Sequence, residues 1–522
     1  MNRYKSLPLL ALVTMLLSAC QLSFSFSNPF NSSNSETTTS AASSYSYSAP
    51  SVEPGVGYYR ASDYSITQND YNMAAGLFTL PATGTQKLLV IPVSFTDYPC
   101  GPTCSTRLDS LEKAFFGTAS ETSWESVTSY YYKSSYGQLT LEGIVTPVYE
   151  SSMSTATFAS STRTTGDYAS YFDPTWLIVE QAVSWYKSYS GSTLSDYDQD
   201  NDGFIDAVWL VYNNPNSRYA NYTAEGEDVF WAYTYWDYDN WNYGNVSSPV
   251  PMTYAWASYD FMYEGYGSQD IDAHTYIHET GHVLGLDDYY SYTDGDWGAA
   301  GGVDMMDFNI VDHNAYSKFL LGWADPYVIN GEVNQVTIQL NPFEASGEFI
   351  LINDGWNGSA YDEYLAIEFY TPTGINYLDS QPGGYPGNGL RGFSVPGIKI
   401  YHVDSRLGLY NNSGFTGYTD TATLSSYTYP YIAHSNTVEY SQNENFRLLH
   451  LLEAGGVNTF KNSNEVATNA TLFKQGDTFT PASFGSFFYY TTGRFNDNTA
   501  IGYSISVGSV TNTKATLTIT KI

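Results

Sequence analysis

Positive charge is what this 522-residue chain most conspicuously lacks: Lys and Arg number 20 against 53 Asp and Glu, a formal net charge of −33 at pH 7. Nucleic acid and anionic membrane surfaces repel such a protein, so neither is expected as a partner. Charge of either sign is sparse, at 14% of residues, whereas Tyr alone contributes 50. Low charge with abundant Tyr, Ser, Asn and Gly fits an extracellular, β-rich protein better than a cytosolic one. Cysteine is scarcer still, with three residues, too few for a disulfide framework. Beyond the N-terminus no apolar run is long enough to span a bilayer as a helix. No fixed-period repeat is present, which argues against a solenoid. The 42% hydrophobic fraction suffices for a sizeable core, and the length suggests about three domains.

What is present begins at the N-terminus. Arg3 and Lys5 precede an apolar run from Leu7 to Leu17, too short to cross a membrane comfortably. The run ends in Leu17-Ser18-Ala19-Cys20, which resembles a bacterial lipoprotein signal with Cys20 as the lipidated mature N-terminus. The alternative is a plain secretory signal with a chance cysteine. A diacylglyceryl group supplies two chains, enough for stable anchoring. Residues 21–50 hold 11 Ser and 3 Thr with one charge, Glu36, and read as a flexible tether. Cys100 and Cys104 then remain as an even pair in Cys-Gly-Pro-Thr-Cys. In an oxidising compartment they are expected to form a small-loop disulfide. A metal half-site is the rival reading, but no second cysteine pair completes it.

Strands are expected at Lys87–Phe95, Leu139–Val145 and Ala207–Tyr212, and helices at Trp124–Tyr132 and Trp176–Tyr189. The Trp- and Tyr-dense stretch from Val229 to Tyr266 reads as strand and loop packing, with a substrate-cleft wall as the alternative. From about Val333 short strands separated by Gly, Asn, Pro and Ser imply a β-rich, sandwich-like region, with examples at Tyr364–Tyr370, Gly397–Asp404 and Ala515–Ile519.

The chemistry-bearing segment is His278-Glu279-Thr280-Gly281-His282, within an expected helix from Ile271 to Gly285 with Asp272 as a possible N-cap. Two histidines four apart share one helix face and can share one metal, while Glu279 lies one step round, placed to take a proton from a water at the metal. Gly285 lets the chain turn back. Asp288 then falls six residues after His282, where metzincin-type sites supply a third ligand. No Glu occurs between Glu279 and Glu332, which counts against the thermolysin-like arrangement. The zinc set is therefore His278, His282 and Asp288, with Asp287 the nearest rival for the third place. Met306, in Gly301-Gly302-Val303-Asp304-Met305-Met306, is the candidate Met-turn residue and Met305 its alternative. His274 reads as a neighbour of the site or a surface group, and His313 as structural or in contact with substrate. No role is assigned to His402, His434 or His450.

A second cation site is read in Asp198-Gln199-Asp200-Asn201-Asp202-Gly203-Phe204-Ile205-Asp206. Alternating carboxylates converge on one ion, Gly203 allows the turn, and Phe204 offers its carbonyl. Position 12 of an EF-hand would be Glu, but here it is Trp209. The loop is thus a partial match, read as a structural calcium site with Asp198, Asp200, Asp202, Phe204 and Asp206 as ligands. A solvated turn is the rival.

With these residues in order, the chain resembles the immune inhibitor A-like secreted zinc metallopeptidases over most of residues 85–455. The resemblance rests on Val93-Ser94-Phe95-Thr96-Asp97, the tyrosine-rich run Ser129 to Gly137, the acidic loop and the His278 to Asp288 motif. Lys318-Phe319-Leu320-Leu321-Gly322-Trp323, Glu363 to Glu368 and Gly397 to Asp404 continue it. It implies a metzincin-like catalytic domain, zinc, structural calcium and extracellular protein substrates. The family commonly has Pro where this chain has Asp287. The expected fold is α+β: a signal at 1–20, a tether at 21–55, a metzincin-like zinc peptidase domain at 56–330 and a β-rich, sandwich-like region at 331–522. The expected activity is endopeptidase hydrolysis with Glu279 as general base, at the bacterial envelope and outside the cytoplasm, with the N-terminal lipid as the sole membrane contact. The competing class is an inactive binding or adhesion lipoprotein on the same scaffold.

Overall fold

The computed structural model describes residues 57–58, 79–161, 174–217, 229–237, 239–240, 243–263, 271–293, 296–382, 392–411, 413–420, 429–462 and 465–522. The signal run, Cys20, the tether and parts of the aromatic stretch that ends at Tyr266 lie outside them. The chain is α+β, with several sheets and few helices. Among the described residues no helix is long and apolar enough to cross a membrane.

Six strands make the first sheet: β1 (Gly84–Ser94), β2 (Leu139–Val145), β3 (Val208–Tyr212), β4 (Tyr233–Trp236) and β5 (Thr253–Ser258) in the order β2-β1-β3-β5-β4, with the two-residue strand Tyr149–Glu150 pairing parallel with β1. The first four in that order run parallel, and β4 pairs antiparallel with β5 at one edge. Parallel neighbours need crossovers, and the helices supply them. Helices α1 (Cys104–Phe116) and α2 (Val127–Ser134) lie between β1 and β2, and α3 (Thr175–Ser190) lies between β2 and β3. A parallel sheet is covered on both faces, so its strands read as continuous apolar runs. Leu89, Ile91, Val208 and Leu210 pack with Ile178 and Ala182 of α3. Leu88, Val90, Trp209 and Val211 face the other way, with Leu111 and Phe115 of α1.

The second sheet joins β6 (Pro326–Ile329), β8 (Phe349–Ile352), β9 (Glu363–Tyr370), β10 (Gly397–Asp404) and β11 (Leu449–Leu451) in that order, and the short strand Gly57–Tyr58 pairs with β6. It too is buried on both faces. Ile350, Ile352, Leu365, Ile367, Ile398 and Ile400 meet Val336, Ile338, Ile505, Leu517 and Ile519. The latter group comes from a four-stranded sheet containing β7 (Gln335–Leu340), β12 (Thr478–Phe479), β13 (Tyr503–Val510) and β14 (Ala515–Lys521). Each of these side chains contributes roughly 1.5–3 kcal/mol by burial. The intervening residues, Phe349, Leu351, Tyr364, Ala366, Tyr401 and Val403, join the same apolar cluster as Leu88 and Trp209. That cluster runs from Leu80 to Leu472 and so continues across the expected boundary at residue 330.

Candidate metal centre and active site

The helix α4 (His274–Val283) belongs to this shared cluster, and every one of its residues is buried. Polar anchors fix its position. The Tyr131 hydroxyl donates to the Ile277 carbonyl at 2.6 Å, and Trp209 Nε1 donates to Thr280 Oγ1 at 3.2 Å. The helix is shorter than expected at its start. Asp272 is not its N-cap, although its Oδ1 accepts the His274 amide at 2.9 Å. At the other end Gly285, at φ +95°, turns the chain, and the Leu286 amide returns to the Gly281 carbonyl at 3.0 Å. A left-handed position of this kind suits glycine, which has no Cβ to clash.

Three donor atoms converge below the helix. His278 Nε2 and His282 Nε2 are 3.2 Å apart, and Asp288 Oδ1 lies 3.0 Å from the first and 3.2 Å from the second. Asp288, rather than Asp287, faces both imidazoles. Asp287 Oδ1 instead accepts the Asp288 amide at 3.0 Å, and the Asp287 carboxylate interacts with Ser435. A tetrahedral ion with ligands at about 2.0–2.1 Å spaces them about 3.3 Å apart, close to this triangle.

The imidazoles are oriented from behind. His278 Nδ1 is 2.8 Å from the Met305 carbonyl and His282 Nδ1 is 2.8 Å from the Leu286 carbonyl. A carbonyl only accepts, so each Nδ1 carries the proton and each Nε2 presents a lone pair to the triangle. Asp288 Oδ1 is buried without a hydrogen-bond donor, while Oδ2 accepts the Tyr292 hydroxyl. Three inward acceptors are stable together when a cation lies between them. Where no ion is present a proton takes that place. Burial disfavours charge on His282, but the facing Asp288 carboxylate overcomes this and pushes His282 up to about 10. Burial also disfavours the Asp288 carboxylate, yet the imidazoles hold it well below the usual range. The residues therefore fit a zinc ion, which imidazole and carboxylate donors suit.

Glu279 is buried beside these donors, and burial pushes its carboxyl up to about 7, with the two imidazoles opposing. Thr234 on β4 lies 3.0 Å from the Glu279 carbonyl and 3.2 Å from Oε2. The short helix α5 (Met305–Phe308) holds both candidate Met-turn residues. Asp304 Oδ1 accepts the Met306 amide at 2.9 Å, and the Met306 carbonyl accepts the Tyr289 amide at 2.8 Å. A Cβ added to Gly281 would meet Met306 Sδ at 2.5 Å, so a glycine between the two histidines is what lets the thioether approach. Met305 contributes its carbonyl to His278 instead.

In the acidic loop, one carboxylate oxygen each from Asp198, Asp200, Asp202 and Asp206 lies within 4.8 Å of the others. Asp198 Oδ2 accepts the Gly203 amide at 3.0 Å, Asp206 Oδ2 the Gln199 amide at 2.9 Å and Asp202 Oδ1 the Phe204 amide at 2.9 Å. Asp198 Oδ1 is buried without a donor. Burial, reinforced by the neighbouring carboxylates, pushes Asp202 up to about 7 and Asp206 to about 8. Four such groups are ionised together at neutral pH when a cation compensates them. Phe204 begins a two-residue strand paired with Val250–Pro251.

Cys100 and Cys104 are joined in a disulfide, with Cα atoms 5.0 Å apart. His274 is buried, with Nδ1 2.6 Å from Asp272 Oδ1 and Nε2 3.2 Å from Asp379 Oδ1. His313 is buried among Tyr130, Tyr131 and Trp323, so it is not at a surface that substrate reaches. His402 pairs with Glu363 at 2.7 Å, His434 contacts the Tyr418 hydroxyl at 3.1 Å and His450 contacts Asn458 at 3.2 Å. Sequence reasoning did not single out Thr234, Tyr292, Asp379 or the Met305 and Leu286 carbonyls. Tyr292 follows Asp288 by four residues, but the remaining four carry no local signal. No protein-family model and no curated protein matches the chain.

Proposed function

We propose that this protein is a zinc-dependent endopeptidase with a metzincin-like catalytic domain, acting on extracellular proteins from a lipid anchor at Cys20 in a bacterial envelope. The observation that carries this reading is the triangle of His278 Nε2, His282 Nε2 and Asp288 Oδ1, 3.0–3.2 Å on a side, with the Glu279 carboxylate buried beside it. Zinc held by those three atoms would supply Lewis acidity, polarising a peptide carbonyl and making water more acidic.

The chain's own groups supply the rest. Glu279 takes a proton from the attacking water at a carboxylate oxygen and delivers it to the departing amine. Its buried position raises its proton affinity toward neutrality, which suits a group that must both accept and release a proton. The Thr234 hydroxyl, 3.2 Å from Oε2, orients the carboxylate. The Met305 and Leu286 carbonyls keep the two imidazoles in the tautomer that binds metal. Asp198, Asp200, Asp202 and Asp206, with the Phe204 carbonyl, form a structural calcium site, since an all-oxygen donor set suits a hard cation.

The test is metal analysis of the purified full chain together with hydrolysis of a casein-like substrate, with and without a zinc-selective chelator. One zinc per chain and chelator-reversible cleavage are expected. Zinc without cleavage would favour the binding or adhesion reading, and absence of zinc would overturn the metal centre.

A further inference from the structure

The segment that carries Asp288 is secured by residues far along the chain, in the β-rich part. The Tyr292 hydroxyl donates to Asp288 Oδ2, the carboxylate oxygen turned away from the imidazoles. Tyr292 is itself held twice: its amide donates to Thr437 Oγ1 at 3.1 Å, and its ring lies edge-on to Tyr440 with centroids 5.9 Å apart. One residue after Asp288, the Tyr289 carbonyl accepts Asn436 Nδ2 at 2.7 Å. Asn436 is buried and also grips β11, donating to the Leu449 carbonyl at 2.9 Å and accepting the Leu449 amide at 3.0 Å. The stitching continues with Thr293 Oγ1 on Glu439, with Arg447 Nη2 3.1 Å from Asp296 and with the Leu451 amide on the Ala299 carbonyl at 2.9 Å.

We infer that residues 435–440 form a strap that positions the third metal ligand, so that the β-rich region is a working part of the metal centre rather than an appended module. The inference rests on the zinc reading above and deepens it. The physical reason lies in the loop itself. His278 and His282 share a rigid helix, but Asp288 follows the turn at Gly285 and has no helix to fix it. A carboxylate with two free torsions binds metal tightly when a partner fixes its second oxygen and its backbone is held. Tyr292 provides the first restraint. Thr437 and Asn436 provide the second by docking the backbone on either side of Tyr290. Tyr292, Asn436 and Thr437 are positioning residues, for none of them supplies an atom to the triangle.

The experiment uses the full chain and two shape-conserving variants. Tyr292→Phe removes the hydroxyl on Asp288. Thr437→Val removes the acceptor of the Tyr292 amide and touches no ligand. Zinc affinity is measured by competition with a chelating dye, and thermal melting of the metal-free proteins reports folding. Tyr292→Phe is expected to weaken zinc roughly 10–100-fold, the usual effect of removing a ligand's hydrogen-bond partner. Thr437→Val is expected to weaken it several-fold, with both metal-free proteins melting near the wild type. Unchanged affinity in Thr437→Val would overturn the strap, even if Tyr292→Phe were weakened. Affinity losses that merely track lower melting temperatures would overturn it as well. A wild type that binds no zinc would instead remove the metal reading itself, and the strap with it.

Discussion

Among the described residues, two cation-shaped clusters gather acceptors in opposite ways. At His278, His282 and Asp288 two nitrogens from a helix buried along its whole length meet one oxygen from the segment beyond its closing turn, inside the apolar cluster. At Asp198, Asp200, Asp202 and Asp206 four carboxylates meet on a loop whose members range from buried to exposed. The first arrangement carries one formal negative charge and strong, directional lone pairs, which suits a small Lewis acid. The second carries four negative charges and no nitrogen, which suits a hard ion held by charge. On the proposed function, donor type more than donor number separates the reactive centre from the structural one.

The buried group around His274 is the internal control for this comparison. Asp272 and Asp379 converge on it from two sides, and Trp124 stacks flat on the ring with centroids 4.0 Å apart. Burial alone would lower its pKa, but the two carboxylates overcome it and raise it to about 9. Here a side chain supplies the positive charge between two carboxylates. Asp379 Oδ2 also accepts the Val311 amide at 2.7 Å, so this pair ties the start of α4 to the segment after α5.

The comparison breaks most visibly at its nitrogen-rich side. Asp288→Ala should lose zinc after dialysis and all hydrolysis with it, whereas Asp287→Ala should keep most of both. The reverse ranking of zinc content would reassign the third ligand. A smaller effect is expected at the oxygen-rich side, and it should be separable. With calcium at a hundred times its dissociation constant, binding to the folded state stabilises by about 2.7 kcal/mol. The double variant Asp200→Asn with Asp202→Asn should lose that calcium-dependent rise in melting temperature and keep its zinc. An equal calcium response in wild type and variant would reduce the loop to a turn.

The control cluster should answer to pH and not to any chelator. His274 has a folded-state pKa raised above its ordinary value, so its contribution is complete below about 6.5 and is lost as pH rises through about 9. At about 1.4 kcal/mol per pKa unit the full contribution is at most about 3 kcal/mol. His274→Gln should therefore flatten the fall in metal-free stability between pH 6.5 and 9, measured by urea unfolding. An identical slope in wild type and variant would mean that the imidazolium contributes nothing there.

Much of the candidate metal centre was legible because helical spacing is a local property. Residues four apart share a face, so His278 and His282 could be paired from the sequence, and a glycine turn three residues after His282 pointed to Asp288 three residues further on. The strand at Lys87–Phe95 was legible because a run covered on both faces is almost continuously apolar, whereas Leu139–Val145, at the sheet edge, was legible from Leu139 and Leu141 alternating with Thr140 and exposed Glu142. The observed bounds are Gly84–Ser94 and Leu139–Val145. What surrounds the centre was not legible. Thr234 reaches Glu279 from 45 residues upstream, and Asn436 reaches Tyr289 from 147 residues downstream. Such pairs arise where a sheet edge and a loop meet in three dimensions, and neither residue type is unusual in its local setting. Nor was the packing across residue 330 legible: short strands set apart by Gly, Asn, Pro and Ser suggested a sandwich-like region, and one face of β8 and β9 carries Phe349, Leu351, Tyr364 and Ala366 into the cluster that houses α4.

The central claim is that Glu279 handles the proton while His278, His282 and Asp288 hold the metal. The most direct measurement is zinc content and peptide turnover of Glu279→Gln beside the wild type, purified as the same full chain. The substitution keeps shape and hydrogen-bonding reach but removes the basic carboxylate. The account predicts one zinc per chain in both proteins and turnover reduced by roughly 10²–10⁴-fold in the variant. Full zinc with near-normal turnover in Glu279→Gln would contradict it.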